Sequence, residues 1–341
     1  MSTTDPRILI LRLSSIGDIL LSTPFIQQVR NRFKDGHISY IVKKEFADLL
    51  KENPHINELI KFDSSLGIAG LLDMAKDLKN NKYDIVFDLH NNMRTNRLTS
   101  AIKSSHITKI KKNKIKRAFL VYFKINLFNK VKTAAEKYLQ TGERYSIEDN
   151  NEKLQLFFDG QTNETVELLL QNNDLKKKQY ICIAPGAAHF TKIWPFEYME
   201  KLIAVILQEN KYKIVVLGGP KEKNILSAYE SSKDVVSFCG ETSLLESAGI
   251  LKHSRGIISN DSGLMHMAAA VGVPLIALFG STVEELGFFP YRANASILQV
   301  NNLWCRPCTH IGRSKCPLGH FNCMRQISVE QVLNEVGKKI Y

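Results

Sequence analysis

Short apolar runs alternate with longer amphipathic stretches along the whole chain, and this alternation predicts strand–helix–strand units. The runs in the first half are RILILRL, HISYIV, ELIKF and YDIVFDL, and those in the second half are YICIAP, YKIVVLG, VVSF, RGIISN and VPLIALFG. Strands that are apolar on both faces are typical of parallel sheets covered by helices. The pattern therefore predicts an α/β protein with two doubly wound lobes.

A polar stretch rich in Asn, Glu and Lys separates the two series between about residues 142 and 178, and it predicts a helix followed by a solvated linker. A chain of 341 residues most easily forms two domains. We expect one domain over residues 1–175 and a second over residues 176–327. The last segment has helical spacing after a Ser328 start signal, so residues 328–341 are expected to form a closing helix.

The net charge of +12 favours an anionic partner without choosing among phosphate, nucleic acid and membrane. No apolar run reaches the roughly 18 residues that a membrane helix needs. The longest run, MAAAVGVPLIALFG, is interrupted by Gly272 and Pro274. The N-terminus MSTTDPR lacks the apolar core of a secretory signal, so we expect a cytosolic protein whose six cysteines are mostly reduced.

Basic residues concentrate between Lys103 and Lys137, where ten lysines and one arginine face a single acidic residue. The apolar residues interleaved with them are Phe119, Leu120, Val121, Tyr122, Phe123, Leu127 and Phe128. This mixture suits an anionic amphiphile, because cations meet phosphates while apolar side chains enter the acyl boundary. A Lys-rich solvated helix face explains the charge as well. Nucleic acid could also use such a patch, but no recognition module accompanies it.

Small and polar residues follow the first predicted strand in LRLSSIGDILLSTP. Ser14, Ser15, Gly17 and Asp18 are expected at the carboxyl edge of the sheet, where open α/β folds bind ligands. Asp18 can also serve simply as a helix cap. The segment has no G-x-G-x-x-G pattern, which disfavours a dinucleotide-dependent oxidoreductase.

The second lobe opens with IAPGAAHFTKIWP, which predicts a phosphate site. Gly186, Ala187 and Ala188 are small enough to let a ligand approach the backbone. Thr191 supplies a hydroxyl and Lys192 a point charge. An ordinary strand–loop–helix connection with a solvated lysine is the alternative.

Two further turns of the second lobe carry candidate ligand contacts. Glu222, after a glycine pair, can accept hydrogen bonds from a ribose diol or can be a surface glutamate. Asp261, Ser262 and Gly263 form a polar turn before a helix whose N-terminus favours a pyrophosphate. His266 lies in the first turn, where it faces the same ligand or packs in the core.

Four late cysteines form another candidate cluster: Cys305, Cys308, Cys316 and Cys323. Four thiolates, with His310 and His320 as further ligands, can make a tetrahedral structural zinc site. The later spacings are irregular for a zinc ribbon, so we favour reduced packing or an occasional disulfide.

Six blocks spread along nearly the whole chain carry a family resemblance: LRLSSIGDILLSTP, APGAAHFTKIWP, LGGPKE, SNDSGLMHMAAAVGVPLIALFG, CRPC and CPLGHFNCM. In this order they resemble glycosyltransferase family 9, the heptosyltransferases of lipopolysaccharide core assembly. The resemblance implies a GT-B fold, in which two Rossmann-like lobes face each other across a cleft. It implies an acceptor on the first lobe and a nucleotide sugar on the second. It also implies an inverting, metal-independent transfer of heptose from ADP-heptose to the lipopolysaccharide inner core, without a cofactor.

The same resemblance implies roles for individual residues. Asp18 is implied as the catalytic base, and Lys192 as the cation that stabilises the leaving diphosphate. The residues implied to bind the donor are Thr191, Lys192, Glu222, Asp261, Ser262, Gly263 and His266. Those expected to bind the acceptor are Ser14, Ser15 and Gly17.

The expected partners are a nucleotide-sugar donor, a lipopolysaccharide or lipid A–core acceptor, and the inner face of the cytoplasmic membrane, with the protein as a peripheral enzyme. One alternative is a GT-B transferase for another nucleotide sugar or acceptor. Another is a sugar-nucleotide-binding relative without activity, which an intact Asp18 disfavours. A basic nucleic-acid-binding protein would leave Asp18 and the phosphate-site blocks without a purpose, so we expect no nucleic-acid partner.

Overall fold

The computed structural model describes residues 5–102, 104, 106–209, 211–223, 225, 229 and 232–341. Lys103, where the basic stretch begins, and the first four residues of MSTTDPR therefore lie outside the described residues. The chain forms two compact units, of which unit 1 comprises Met1–Lys112 and Ala134–Phe157, and unit 2 comprises Asn113–Thr133 and Phe158–Tyr341. Each unit contains a parallel sheet with helices, which confirms the predicted α/β class and the two lobes.

Unit 1 is built on a parallel sheet with the strand order β3-β2-β1-β4-β5. Its strands are β1 (Arg7–Leu11), β2 (His37–Lys43), β3 (Glu58–Phe62), β4 (Ile85–Asp88) and β5 (Ile107–Lys109). Its helices are α1 (Ile16–Leu21), α2 (Thr23–Arg32), α3 (Asp48–Lys51), α4 (Gly67–Asn80), α5 (Met93–Ala101) and α7 (Ala134–Thr141). The central strands β1 and β4 are almost wholly buried, as their continuous apolar sequence requires.

Unit 2 is built on a second parallel sheet with the order β11-β10-β9-β6-β7-β8. Its strands are β6 (Tyr180–Ala184), β7 (Lys213–Val216), β8 (Val235–Ser237), β9 (Ile257–Asn260), β10 (Leu275–Phe279) and β11 (Ala295–Gln299). Its helices are α6 (Lys114–Ala118), α8 (Gly160–Asn172), α9 (Phe196–Gln208), α10 (Leu244–His253), α11 (Gly263–Val271), α12 (Asn322–Arg325) and α13 (Val329–Lys339). Trp194 is fully buried in its core, and the indole Nε1 donates a hydrogen bond to the Ile327 carbonyl at 2.9 Å.

Both sheets have the strand order of the Rossmann fold, counted within each unit. The chain direction across the sheet reverses between β1 and β4 in unit 1, and between β6 and β9 in unit 2. Ligands of such sheets bind at the carboxyl ends of the strands beside this reversal. The turns after β1 and β9, which carry Asp18 and Asp261, therefore lie where this architecture binds ligands.

Some elements differ from the sequence-based expectation. The chain after β1 forms two helices and not one, because Ser22 ends α1 and begins α2, and Pro24 has no N–H to continue the first helix. The strands β5 and β11 are not among the predicted strands, since β5 has only three residues and both strands are half-exposed and partly polar.

The division between the units falls after Phe157 and not near residue 175. The reason is that α8 packs on α10 of unit 2, so closely that a Cβ on Gly249 would lie 2.6 Å from the Val166 Cγ2. The terminal helix α13 is present, begins at the expected Ser328 and packs on α9, β10 and β11 of unit 2. None of the helices in the described ranges has the length and apolar content needed to cross a membrane.

Candidate active site

The Asp18 carboxylate lies at the carboxyl end of β1 and is held by four polar contacts. Its Oδ1 is 2.6 Å from the Arg12 Nη2 and accepts a hydrogen bond from the Tyr138 hydroxyl at 3.2 Å. Its Oδ2 accepts from the Ser15 amide at 3.2 Å and from the Ser15 hydroxyl at 3.0 Å. Asp18 therefore caps α1 and also forms an ion pair, so a helix-capping role alone does not describe it.

Arg12 is the charged partner that decides the protonation state of Asp18. Its side chain is largely buried, stacks over the Tyr138 ring at 5.7 Å and donates from Nη1 to the Leu89 carbonyl at 2.8 Å. Burial would raise the pKa of the Asp18 carboxyl, but the Arg12 charge and the Ser15 hydrogen bonds outweigh it, so the pKa lies below its ordinary value. Asp18 is consequently ionised at neutral pH.

His90 follows β4, across the strand reversal from Asp18. Its Nδ1 accepts a hydrogen bond from the Leu13 amide at 3.2 Å, so the neutral ring carries its proton on Nε2. Burial, and after it the nearby Arg12 charge, lower the pKa of His90 to about 3. The structure therefore places a neutral N–H donor near the ionised Asp18.

The predicted acceptor residues share this turn. Ser15 is exposed, Ser14 is half-buried, and Gly17 is buried inside the first turn of α1. The Ser15 hydroxyl is thus the group that covers the Asp18 Oδ2 from the solvent side. Arg12, Tyr138 and His90 are not among the site residues that the sequence predicts. Arg12 and His90 each lie beside a predicted strand end, which was an available signal, whereas nothing near Tyr138 in the sequence points to Asp18.

In unit 2, Lys192 and Asp261 form a nearly buried ion pair. The Lys192 Nζ lies 2.8 Å from the Asp261 Oδ2, and their side chains are 14% and 5% exposed. The same oxygen accepts a hydrogen bond from the Thr282 hydroxyl at 2.7 Å. Two residues that sequence analysis assigned to one ligand are therefore brought together from the turns after β6 and β9.

Helix α11 begins directly after this pair. Ser262 is its N-cap, and its hydroxyl lies 3.2 Å from the Ser259 hydroxyl. Gly263 is the first helical residue, and His266 is a buried residue of the first turn. Gly272 ends the helix in the left-handed conformation at φ 76°, which glycine adopts without strain. The α11 N-terminus and the Lys192 ammonium thus belong to one local cluster around Asp261.

The Thr191 side chain is turned into the protein. It is 1% exposed, and its Oγ1 accepts a hydrogen bond from the Arg313 amide at 2.9 Å. The Thr191 amide in turn donates to the Arg313 carbonyl at 3.1 Å. In this conformation Thr191 holds the segment around residue 313 against the Lys192 loop, and its hydroxyl does not face solvent.

The missing side chain at Gly186 leaves space for the Glu222 carboxylate. A Cβ on Gly186 would lie 2.6 Å from the Glu222 Cδ and Oε1, so only glycine leaves room for that side chain. The Glu222 Oε2 accepts a hydrogen bond from the Gly219 amide at 2.8 Å. The sequence predicts that a ligand approaches the backbone at Gly186, but in the structure the Glu222 carboxylate occupies that space.

The late cysteines Cys305, Cys308, Cys316 and Cys323 are all free thiols. Burial raises the pKa of the Cys323 thiol to about 12, and the Cys305 Sγ lies 3.9 Å from the His320 Nε2. Over the described part of the chain, no three His, Cys, Asp or Glu side chains are arranged to hold a metal ion. In the structure the four cysteines are therefore packed as reduced thiols.

Comparison with known proteins decides the family. The family model described as glycosyltransferase family 9 (heptosyltransferase) matches residues 71–318, which is most of the chain. The chain belongs to glycosyltransferase family 9. This transferase is 26% identical to lipopolysaccharide heptosyltransferase 3 of Escherichia coli (strain K12) over 309 residues, which cover 86% of this chain and 88% of that protein.

Solved structures agree with this assignment. The family 9 glycosyl transferase from Veillonella parvula DSM 2008 is 25% identical with a TM-score of 0.83, covering 98% of this chain and 96% of the other. The E. coli ADP-heptose lipopolysaccharide heptosyltransferase II is 20% identical with a TM-score of 0.75, covering 97% of this chain and 98% of the other, and shows a shared fold. The predicted GT-B fold class and the transferase activity are thereby confirmed.

The family match covers only part of the candidate site. It spans Lys192, Glu222 and Asp261, but begins after Asp18 and ends before Cys323, the last of the late cysteines. The role of Asp18 in this transferase therefore depends on the resemblance of the SSIGD block and on the geometry around its carboxylate.

Proposed function

We propose that this transferase moves heptose from ADP-heptose to the inner core of lipopolysaccharide, with inversion at the anomeric carbon and without a metal ion. The observation that carries the proposal is the ionised Asp18 carboxylate, at the strand reversal of a Rossmann-like sheet, with one oxygen bound to Arg12 and Tyr138 and the other covered by the Ser15 hydroxyl. The names of its relatives, lipopolysaccharide heptosyltransferase 3 among them, support heptose as the sugar and lipopolysaccharide as the acceptor.

Unit 1 holds the acceptor in this proposal, with Ser14, Ser15 and Gly17 beside Asp18. The Asp18 Oδ1 is occupied by Arg12 and Tyr138, so Oδ2 is the oxygen that takes the proton. The acceptor hydroxyl replaces the Ser15 hydroxyl there and donates to Oδ2. A carboxylate with a lowered pKa is a weak base, but the proton leaves only as the new C–O bond makes the hydroxyl strongly acidic.

Unit 2 holds the donor. Lys192 and the N-terminus of α11 supply positive charge to the diphosphate, while Asp261 fixes the position of the Lys192 ammonium. Glu222 accepts hydrogen bonds from the ribose. The remaining members of this donor set are Ser262, Gly263 and His266, with Thr191 acting through its hold on the segment around residue 313.

The step balances as a direct displacement. The acceptor oxygen bonds to the anomeric carbon of the heptose as the bond from that carbon to the phosphate oxygen breaks. The proton of the hydroxyl passes to the Asp18 Oδ2, and ADP leaves with the bonding electrons. Attack from the face opposite the leaving group inverts the configuration. The growing charge on ADP is met by Lys192 and the α11 N-terminus, a preorganised form of stabilisation that supplies the charge a divalent cation would otherwise bring.

We further propose that the reaction takes place at the inner face of the cytoplasmic membrane, where a lipid-anchored acceptor is presented to a peripheral enzyme. The high net charge of +12 supports an anionic surface as partner. The sequence interpretation placed the basic stretch in the acceptor domain. In the structure, residues 113–133 of that stretch belong to unit 2, which changes the surface that would meet the membrane.

A ligand panel tests the donor. Thermal unfolding is followed with ADP-, UDP- and GDP-sugars at equal concentration, and ADP-heptose is expected to raise the Tm most, because stabilisation grows with concentration over Kd. A stronger shift with a UDP- or GDP-sugar would contradict the proposed donor.

Turnover with a deacylated inner-core acceptor tests the base. Asp18→Asn is expected to lower turnover by about 10² to 10⁴ while leaving the ADP-heptose shift in place, because Asn retains the shape but not the basicity of the side chain. Near-normal turnover by this variant would contradict the role of Asp18.

A further inference from the structure

One exposed surface of unit 2 plays no part in the site described above. We propose that residues 113–133 form a docking surface for an anionic lipid bilayer, and we call these residues the basic-aromatic segment. The inference deepens the proposed function, since it depends on the idea that the acceptor is embedded in a membrane, and it identifies the surface of unit 2 that would hold the enzyme there.

The basic-aromatic segment is firmly attached to unit 2. It runs through α6 and a π-helical turn over Phe119–Phe123, from which Leu120 and Val121 are buried inward. Lys124 then donates its three ammonium protons to backbone carbonyls, at 2.7 Å to Val121, 3.3 Å to Cys305 and 2.6 Å to Pro307. The Asn126 Nδ2 adds a hydrogen bond to the Glu285 Oε1 at 2.9 Å. The segment is therefore fixed to the body of the unit.

The outward side of the segment is unusually apolar. The large side chains it exposes, with their exposed fractions, are Ile115 at 73%, Tyr122 at 70%, Phe123 at 66%, Ile125 at 48%, Leu127 at 39% and Phe119 at 37%. Trp304, beside the Cys305 that accepts from Lys124, is 72% exposed. Clustered exposure of this kind marks an interaction surface. It also excludes a purely solvated lysine face, because such a face would point its lysines and not its aromatic rings at water.

The charge of the basic-aromatic segment indicates which kind of partner binds it. The basic-aromatic segment contains five lysines and Arg117, and no acidic residue. An anionic bilayer offers phosphates to these cations and an acyl boundary to the apolar rings, and Tyr and Trp are the residues that favour that boundary. A protein partner would need an apolar patch ringed by acids, and a nucleic acid offers no acyl layer for Ile115, Ile125 and Leu127. The bilayer is the partner that satisfies both halves of the surface.

The test is flotation of the full chain with vesicles of phosphatidylcholine alone and of phosphatidylcholine with phosphatidylglycerol at a 7:3 ratio. Binding is expected to the anionic vesicles and to weaken at high salt, because exposed charges are screened. Tyr122→Ser with Phe123→Ser keeps every charge and is expected to lower the partition coefficient at least about tenfold, through loss of apolar burial. Lys114→Glu with Lys116→Glu is expected to abolish the preference for anionic vesicles.

Matched controls lie elsewhere in unit 2. Leu168→Ser on α8 removes an apolar side chain that is 57% exposed, and Lys201→Glu on α9 reverses an exposed charge. Both are expected to bind vesicles as the unchanged protein does. Equal binding to neutral vesicles, or unchanged binding by the Tyr122/Phe123 variant, would overturn the proposal. So would preferential binding of random-sequence RNA, or a self-association that this variant abolishes.

The two proposals fail separately. Turnover with a deacylated, water-soluble acceptor needs no membrane, so the Tyr122/Phe123 variant is expected to keep it while losing activity on acceptor presented in anionic vesicles. If the unchanged protein does not bind vesicles but turns over the soluble acceptor normally, the docking surface is wrong and the proposed function stands. Vesicle binding without any transfer of heptose from ADP-heptose would contradict the proposed function and still support the docking surface.

Discussion

The Asp18 carboxylate has to satisfy a structural and a chemical demand at once. It caps α1 through Ser15 and neutralises the nearly buried Arg12, and in the proposed reaction it also has to accept a proton. The two carboxylate oxygens have different roles: Oδ1 forms the ion pair with Arg12, and Oδ2 accepts the hydrogen bond of the exposed Ser15. A buried charge without a partner is costly, so Arg12 and Asp18 are expected to depend on each other.

A pH profile tests the influence of Arg12. The Arg12 charge lowers the pKa of Asp18, so its removal in Arg12→Gln is expected to raise that pKa. The acidic limb of kcat/KM, which reports the loss of the ionised base, then moves to higher pH. Arg12→Lys retains the charge and is expected to keep the limb close to its original position. A limb that stays in place in Arg12→Gln, with the fold verified by its Tm, would show that Arg12 does not tune the base.

Lys192 is expected to matter for turnover more than for stability. Lys192→Ala removes the cation proposed to meet the leaving diphosphate, and a lost donor of this kind costs about a hundredfold or more in kcat. Asp261 retains the Thr282 hydrogen bond, so the fold is expected to survive with a lowered Tm. Lys201→Ala is the control, because it removes an exposed lysine of the same unit. Near-normal kcat in Lys192→Ala would remove the proposed role.

At the scale of elements, the loops after β6 and β7 share one small space. Gly186 lies in the first loop and yields room to Glu222 from the second, while a Cβ on Gly218 would lie 2.9 Å from the Glu222 Cβ. The glycines of these loops therefore set the position of a carboxylate. A ligand contact by Glu222 depends on both turns, although the two are distant in sequence.

Gly186→Ala tests this arrangement. The new Cβ would meet the far end of the Glu222 side chain, which can move, so the fold is expected to remain intact while the carboxylate is displaced. We expect the Kd for ADP-heptose to rise about tenfold, in line with a modest overpacking cost. Gly160→Ala is the matched control, because its Cβ would meet nothing within 4 Å. Unchanged affinity, measured by titration calorimetry, would show that Glu222 does not contact the donor.

Periodicity and cap chemistry predicted most elements of both sheets. The buried runs of β1, β2, β6 and β10 left little ambiguity, because continuous apolar sequence of that length forms central strands. The edge strands β5 and β11 gave no such signal, since an edge strand is half-exposed and tolerates polar residues. Helix α8 was recognised, but the unit to which it belongs depends on its packing against α10.

At the scale of the whole molecule, acid is expected to destabilise the protein partly through His90. Burial and the Arg12 charge hold the pKa of His90 at about 3, against 6.5 for the ordinary side chain. The unfolded chain binds a proton at this position between pH 6.5 and 3, whereas the folded chain does not, so stability falls as the pH drops through this window. Above pH 6.5 His90 contributes no pH dependence.

His90→Asn isolates this contribution, because its side-chain oxygen can still accept the Leu13 amide hydrogen bond without titrating. Tm is measured from pH 8 to pH 4 for both proteins. The variant is expected to lose less of its Tm on acidification than the unchanged protein. Parallel curves for the two proteins would show that His90 is not held neutral.

Sequence alone determined the local chemistry of this protein: apolar runs that become strands, polar turns at strand ends, and the blocks that resemble family 9. These features depend on residues close together in the chain, whose pattern is visible without the fold. The tertiary structure alone decided which groups meet, namely Tyr138 with Asp18, Lys192 with Asp261, and Lys124 with the carbonyls of Cys305 and Pro307. Such contacts join residues far apart in sequence, and the path of the chain that brings them within a few ångströms is not encoded in any local pattern.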